Sequence, residues 1–133
     1  MTRTKVLRHL FRVHGFRESL KIASVGVLYL VRFHRNMRII FLFGLAAFLF
    51  GVFLKLKGME LAILCITITV VFICEIFNTS IELLMNILST RYHIRIKLIK
   101  DISAAIVLLS CLNALAVGYI LFVPKVLKLI CPL

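Results

Sequence analysis

Five side chains of this chain are acidic, and two of them stand where an acid is costly. Glu75 and Glu82 fall inside the apolar, helix-patterned stretch ITITVVFICEIFNTSIELLMNIL. Asn78 lies three residues after Glu75 and four before Glu82, and Asn86 follows four residues later. That spacing stacks all four on one helix face. Carboxylates so placed can accept a proton from a hydroxyl or hold a divalent cation. Amides and acids also serve simply to hold membrane helices together, but two acids and an amide on one face exceed what packing needs. Further along comes Lys100-Asp101, read as the start of another helix. A helix N-terminus attracts phosphate through its free N–H groups, and a lysine there adds a mobile positive charge. The plainer reading of that pair is an interfacial anchor and an Asp N-cap, and of Tyr92-His93 a pair of interfacial amphipathic residues. Carboxylates and a lysine at one level form the inventory of phosphoryl transfer, where catalysis is mainly positioning and charge neutralisation. Neither a Walker-type loop nor a kinase glycine-rich loop is present. Glu18 and Glu60, at the edges of apolar segments, are expected to be solvated.

The elements that carry these groups follow from composition. Of 133 residues, 62% are hydrophobic and 17% charged, with a mean hydropathy of +1.10. Soluble domains run about 45–50% apolar and about 25% charged, and a single domain this short cannot hide the excess from water. The solvent is a bilayer, and a disordered segment is excluded. The net charge is +12. Because the basic residues flank apolar runs, they read as lipid attraction and orientation signals; no nucleic-acid-binding motif is present. A channel subunit would need a repeated polar stripe beyond this one patch. Four cysteines in or beside apolar runs lack metal-ligand spacing and read as packing residues. The basic N-terminus leads to no short apolar core with a cleavage site, so no removable signal peptide is expected.

The expected fold is an all-α membrane protein. A basic segment covers 1–17, a membrane domain 18–123 and a short tail 124–133. Within the domain a surface helix spans about 19–33, and three membrane spans run over about 37–55, 59–88 and 101–123, the last stopped by Pro124. Nine basic residues precede the first span, two lie in the next connection, four in the following one and two in the tail. The positive-inside rule then places the N-terminus and the 89–100 connection in the cytoplasm. Entering near Leu61, the second span carries Glu75 about 21 Å along at 1.5 Å per residue, with Glu82 two turns beyond. Three spans are too few to enclose both acids, so subunits are expected to cover each other's polar stripe.

At these residues the sequence resembles the small bacterial diacylglycerol kinase and undecaprenol kinase family of integral-membrane lipid kinases. Glu75-Ile76-Phe77-Asn78-Thr79-Ser80-Ile81-Glu82 is similar to the family's E-[IL]-x-N-[TS]-[AS]-I-E, and Tyr92-His93 and Lys100-Asp101 follow at the family's spacing. Upstream, Ser19-Leu20-Lys21, Ala23, Gly26 and Arg35-Asn36-x-Arg38-Ile39 also resemble the family's amphipathic leading segment. The likeness covers about residues 16–123 without a gap between the motifs.

The resemblance implies an ATP-dependent kinase of the bacterial cytoplasmic membrane. It would transfer the γ-phosphate to the hydroxyl of a lipid alcohol, diacylglycerol or undecaprenol, in lipid recycling, with Mg²⁺ accompanying ATP. It implies a homotrimer with active sites between subunits at the cytoplasmic interface. Carried over by position, Glu75 is the general base and Asn78 helps arrange the site. Glu82 holds the metal of Mg-ATP, and Arg91, Tyr92, His93, Lys100 and Asp101 line the nucleotide. Ser19, Lys21, Gly26, Arg35, Asn36 and Glu75 face the lipid substrate. Two positions depart from the family pattern: its first-helix metal-binding glutamate falls on His34, and an acid four residues after Glu82 is replaced by Asn86. Mg²⁺ prefers oxygen ligands, so either Glu82 and phosphates hold the metal alone or activity is reduced. The second reading is therefore a weakened or inactive relative serving as a membrane structural or binding protein. The Asn-Thr-Ser form of the motif and the Ser-Leu-Lys segment lean toward the undecaprenol type.

Overall fold

A computed structural model describes residues 15–88 and 93–131. The chain divides into two units, Met1–His34 and Arg35–Leu133. In the first, helix α1 runs over Phe16–Phe33, beginning three residues before the expected start. Gly15 precedes it in extended conformation, and His34 ends it at φ −105° and ψ 117°. Around that end Tyr29 stacks on Phe33 with ring centroids 4.9 Å apart and lies 6.0 Å from the His34 ring. No residue of α1 is buried.

The second unit holds α2 (Arg35–Phe53), α3 (Gly58–Leu88) and α4 (Ile94–Ile130), all three long and apolar enough to cross a membrane. At 1.5 Å per residue they measure about 28, 46 and 55 Å. Large apolar side chains point outward, such as Leu42 at 64% exposure and Leu115 at 71%. Inside, beside Leu64, Val71 and Met85, lie Thr67, Glu75, Asn78, Thr79, Ser103 and Ser110. Apolar outside and polar within is the arrangement hydrocarbon selects, since apolar surface gains nothing by leaving lipid while a polar group does.

Helix α3 is central and packs on both α2 and α4. Its approach to α2 depends on two glycines one heptad apart. A Cβ at Gly44 would lie 3.0 Å from Ile68 Cγ2, and one at Gly51 would lie 2.8 Å from Leu64 Cδ2. The turn out of α2 closes on the same glycine: Leu56 N–H donates to Gly51 C=O (3.1 Å) and Lys55 N–H to Val52 C=O (3.0 Å). This is a Schellman motif. Its left-handed position, usually glycine, is Lys55 at φ 52°.

Two expectations are corrected at the far end of the bundle. Glu60 is not simply solvated. Its Oε2 accepts from Lys57 N–H at 2.7 Å, as the N3 glutamate of a capping box does, and meets Lys125 Nζ at 2.9 Å. Pro124 does not end the last span; α4 continues through it to Ile130. Proline removes one backbone hydrogen bond, whereas ending the helix there would strip partners from several carbonyls. Lys125, held by Glu60, fixes the turn that contains it.

Gly51→Leu is expected to lower the stability of the purified protein by about 1–3 kcal/mol through overpacking, measured by circular dichroism during SDS titration in mixed micelles. An unchanged midpoint would show that α2 and α3 do not approach closely at Gly51.

Candidate functional site

The stripe expected on the second span is present on α3 and divides by burial. Glu75 is 3% exposed and Asn78 6% exposed, while Glu82 and Asn86, a turn or two on, are exposed. A single chain therefore buries Glu75 but not Glu82, which is left for another surface to cover. Thr79 is buried beside Asn78.

Two side-chain contacts fix the antiparallel register of α3 on α4. Ser103 Oγ lies 2.7 Å from Asn78 Oδ1 and 2.8 Å from Lys100 C=O, so its one proton is shared between two acceptors in a buried setting. Lys100 Nζ donates to Asn86 Oδ1 at 2.7 Å. Between these two contacts, Glu82 stands level with Lys100 and Asp101. The register of α2 on α3, read from Gly44 against Ile68 and Gly51 against Leu64, brings Arg35 and Asn36 to the level of Thr79. Arg35, Asn36, Glu82, Asn86 and Asp101 are all exposed at this end.

The start of α4 differs from the expectation. The helix begins at Ile94, so Lys100 and Asp101 lie within it and Asp101 is not its N-cap. His93 is, with Nδ1 accepting from Arg95 N–H at 3.2 Å. The His93 carbonyl accepts from Ile96 and Lys97 N–H, at 3.0 and 3.1 Å. With these first-turn amides partnered, the backbone offers little to a phosphate here. The positive charge at this level comes from the Lys100 side chain instead, and a neutral amide holds it without cancelling its charge.

Four of the remaining expected residues belong to the first unit. Ser19, Lys21 and Gly26 are exposed on α1, and His34 is half-buried in the same unit. Arg91 and Tyr92 lie outside the described residues. Among the described residues no group of three or more His, Cys, Asp or Glu forms a metal cage. A hydrated Mg²⁺ carried on phosphate needs only one or two carboxylates, and Glu82 and Asp101 offer them. A separate cleft of about 560 Å³ opens between α2 and α4, with Gly44, Thr67, Ala114 and Gly118 among its walls, and contains none of the candidate residues.

Sequence reasoning missed Ser103. Its signal was available: Ser103 and Ser110, both buried, stand seven residues apart in an apolar run, hence on one helix face.

Residues 21–122 match the family model for prokaryotic diacylglycerol kinase. The chain belongs to this family. The matched stretch contains all of α2 and α3 and both contacts that set the α3–α4 register. Among curated proteins, a diacylglycerol kinase of Synechocystis sp. is 34% identical over 112 residues, covering 84% of this chain and 64% of the relative. The chain thus spans just under two thirds of that protein. An undecaprenol kinase of Bacillus subtilis is 26% identical over 117 residues, covering 88% of this chain and 95% of the relative.

A double-mutant cycle on Asn78→Leu and Ser103→Ala should give a coupling of about 0.6–1.7 kcal/mol, the range for hydrogen bonds between membrane helices. SDS unfolding of the four proteins measures it; strict additivity would remove the contact from the register.

Proposed function

We propose that this chain is an ATP-dependent lipid kinase that phosphorylates the hydroxyl of a membrane lipid alcohol, diacylglycerol or undecaprenol. The observation that carries this reading is the buried Glu75 on α3, one face with Asn78 and Glu82, set by register against Lys100. An ionisable group kept within a span marks a reaction, a pathway or a partner. Relatives named for both lipids support the substrate class.

In this mechanism Glu75 takes the proton of the lipid hydroxyl as its oxygen attacks the γ-phosphorus. The bond from that phosphorus to the β–γ bridging oxygen breaks, giving lipid phosphate and ADP, and Glu75 then releases its proton to water. Asn78, tied to Ser103, keeps the α3 backbone and the Glu75 carboxyl in place. Lys100 meets the charge on the phosphoryl oxygens, and His93, Arg91, Tyr92 and Asp101 face the nucleotide. Mg²⁺, held by Glu82 with Asp101 at the same level, would neutralise the phosphates. Arg35, Asn36, Ser19, Lys21 and Gly26 face the lipid. Helix α1 lies on the membrane surface as an amphipathic segment, the N-terminus is cytoplasmic in a bacterial inner membrane, and the working unit is a homotrimer whose neighbouring subunit covers Glu82.

The departures at His34 and Asn86 favour a second reading, a weakened or inactive relative with a structural or binding role. The Asn86 contact weighs against it, since the replaced position still holds Lys100.

Glu75→Gln should retain helix content and membrane insertion while lowering lipid phosphorylation by about 10²–10⁴-fold, assayed in detergent with Mg-ATP and each lipid. Wild-type turnover in that variant would end the general-base assignment. His34 concerns the metal. Its imidazole is a poor Mg²⁺ ligand, but it can donate a hydrogen bond to a phosphate oxygen. His34→Glu is accordingly expected to lower the Mg²⁺ concentration for half-maximal activity, and His34→Ala not to; an unshifted Mg²⁺ curve in the Glu variant would place His34 outside the metal site.

A further inference from the structure

Where α3 and α4 meet at the Glu82 end, a lysine is held by an amide and not by an acid. Lys100 Nζ donates to Asn86 Oδ1 at 2.7 Å. An ammonium has donors only, so the amide must turn its oxygen to Lys100 and its Nδ2 group elsewhere. The ammonium keeps two further protons, and Nδ2 carries two of its own. Among the described residues these four protons meet no acceptor.

The amide decides what the pair can bind. An acid at this position would accept from Lys100 equally well, but it would cancel the charge and offer other ligands only acceptor oxygens. Asn86 does the opposite on both counts: the charge remains, and donors are added. Asn86 is exposed and Lys100 partly so, which leaves both open to solutes. Arg35, Arg38, Arg95 and Lys97 are also exposed at this end of the spans, against the two exposed acids Glu82 and Asp101. Adjacent donors in a positive surround suit an anion with several oxygens, and phosphate is such an anion.

We infer that Asn86 is a nucleotide-binding residue, its Nδ2 group and Lys100 Nζ holding the polyphosphate as paired donors that need no metal between protein and phosphate. The inference rests on the kinase reading for its choice of a nucleotide over a phosphorylated lipid. Position favours the nucleotide. Asn86 lies three turns beyond buried Glu75, about 16 Å along α3 at 1.5 Å per residue. It therefore meets the phosphates that remain with ADP, and serves affinity and not the transfer step.

The purified protein in detergent micelles is titrated by calorimetry with adenylyl imidodiphosphate, whose terminal phosphate is not transferred, first in EDTA and then in Mg²⁺. In EDTA, Asn86→Asp should raise the dissociation constant about 10- to 100-fold and Asn86→Ala about 3- to 10-fold. The Asp deficit should shrink in Mg²⁺, where the added oxygen can serve the metal. The order of the two variants is decisive. If Asn86 served only to hold Lys100, Asp would hold it at least as well and would bind nucleotide better than Ala. SDS unfolding, which reads that structural role, should leave Asp near wild type and Ala below it. Wild-type affinity in the Asp variant in EDTA, or tighter binding than in the Ala variant, would overturn the inference. So would a wild-type protein that binds no triphosphate in EDTA, or an Asp variant that loses only its retention of phosphatidic acid in mixed micelles. Because no turnover is read, wild-type binding without lipid phosphorylation would retire the kinase reading and leave a polyphosphate site. Lipid phosphorylation with unchanged affinity in the Asp variant would retire this inference alone.

Discussion

The Ser103 hydroxyl between Asn78 Oδ1 and the Lys100 carbonyl is the contact on which the arrangement of this chain depends. In hydrocarbon two helices gain little by pressing apolar faces together, so polar contacts and close backbone approach choose the register. Sliding α4 along α3 by a turn would leave a buried amide unpaired and separate Lys100 from Asn86. The same register brings Glu82 level with Lys100 and Asp101. Helix α2 is registered differently, by Gly44 and Gly51 letting Ile68 and Leu64 close in. One side of α3 is thus located by hydrogen bonds and the other by the absence of side chains.

The burial pattern along α3 separates two tasks. Glu75 and Asn78 are enclosed, and Glu82 and Asn86 emerge at the end that receives the nucleotide on the proposed kinase reading. Proton transfer suits an enclosed carboxyl, while handling polyphosphate suits exposed charge. At the opposite end Glu60 joins the start of α3 to Lys125 beyond Pro124. The bundle is tied at both ends by polar contacts and filled between them by small residues and aliphatic packing.

Much of this was legible in the sequence. Three apolar runs of spanning length gave the spans, and the Glu75–Asn78–Glu82 spacing gave the polar face, because both depend on periodicity alone. What could not be read depended on partners far along the chain. Nothing local to Glu60 reveals that Lys125 meets it, and nothing local to Ser103 names Asn78 as its partner, although its spacing from Ser110 marks a face. The start of α4 was misplaced because Ile94–Lys100 mixes apolar and basic residues and reads as interface. The helix starts directly after His93, whose side chain caps it by a local contact with Arg95 N–H. Pro124 was taken as a stop by its local rule, which fails where ending a helix costs more hydrogen bonds than continuing it. Family membership agrees with the motif that the spacing singled out.

On the proposed kinase reading, one register, one buried carboxyl and one lysine two turns into α4 serve to move a phosphoryl group onto a lipid hydroxyl. The most direct test is phosphorus NMR of vesicles containing the purified protein, Mg-ATP and either diacylglycerol or undecaprenol. The predicted result is loss of the γ-phosphate signal matched by a new phosphomonoester that extracts with the lipid, for at least one of the two. ATP that persists with both lipids, or that yields only ADP and inorganic phosphate, would contradict the account.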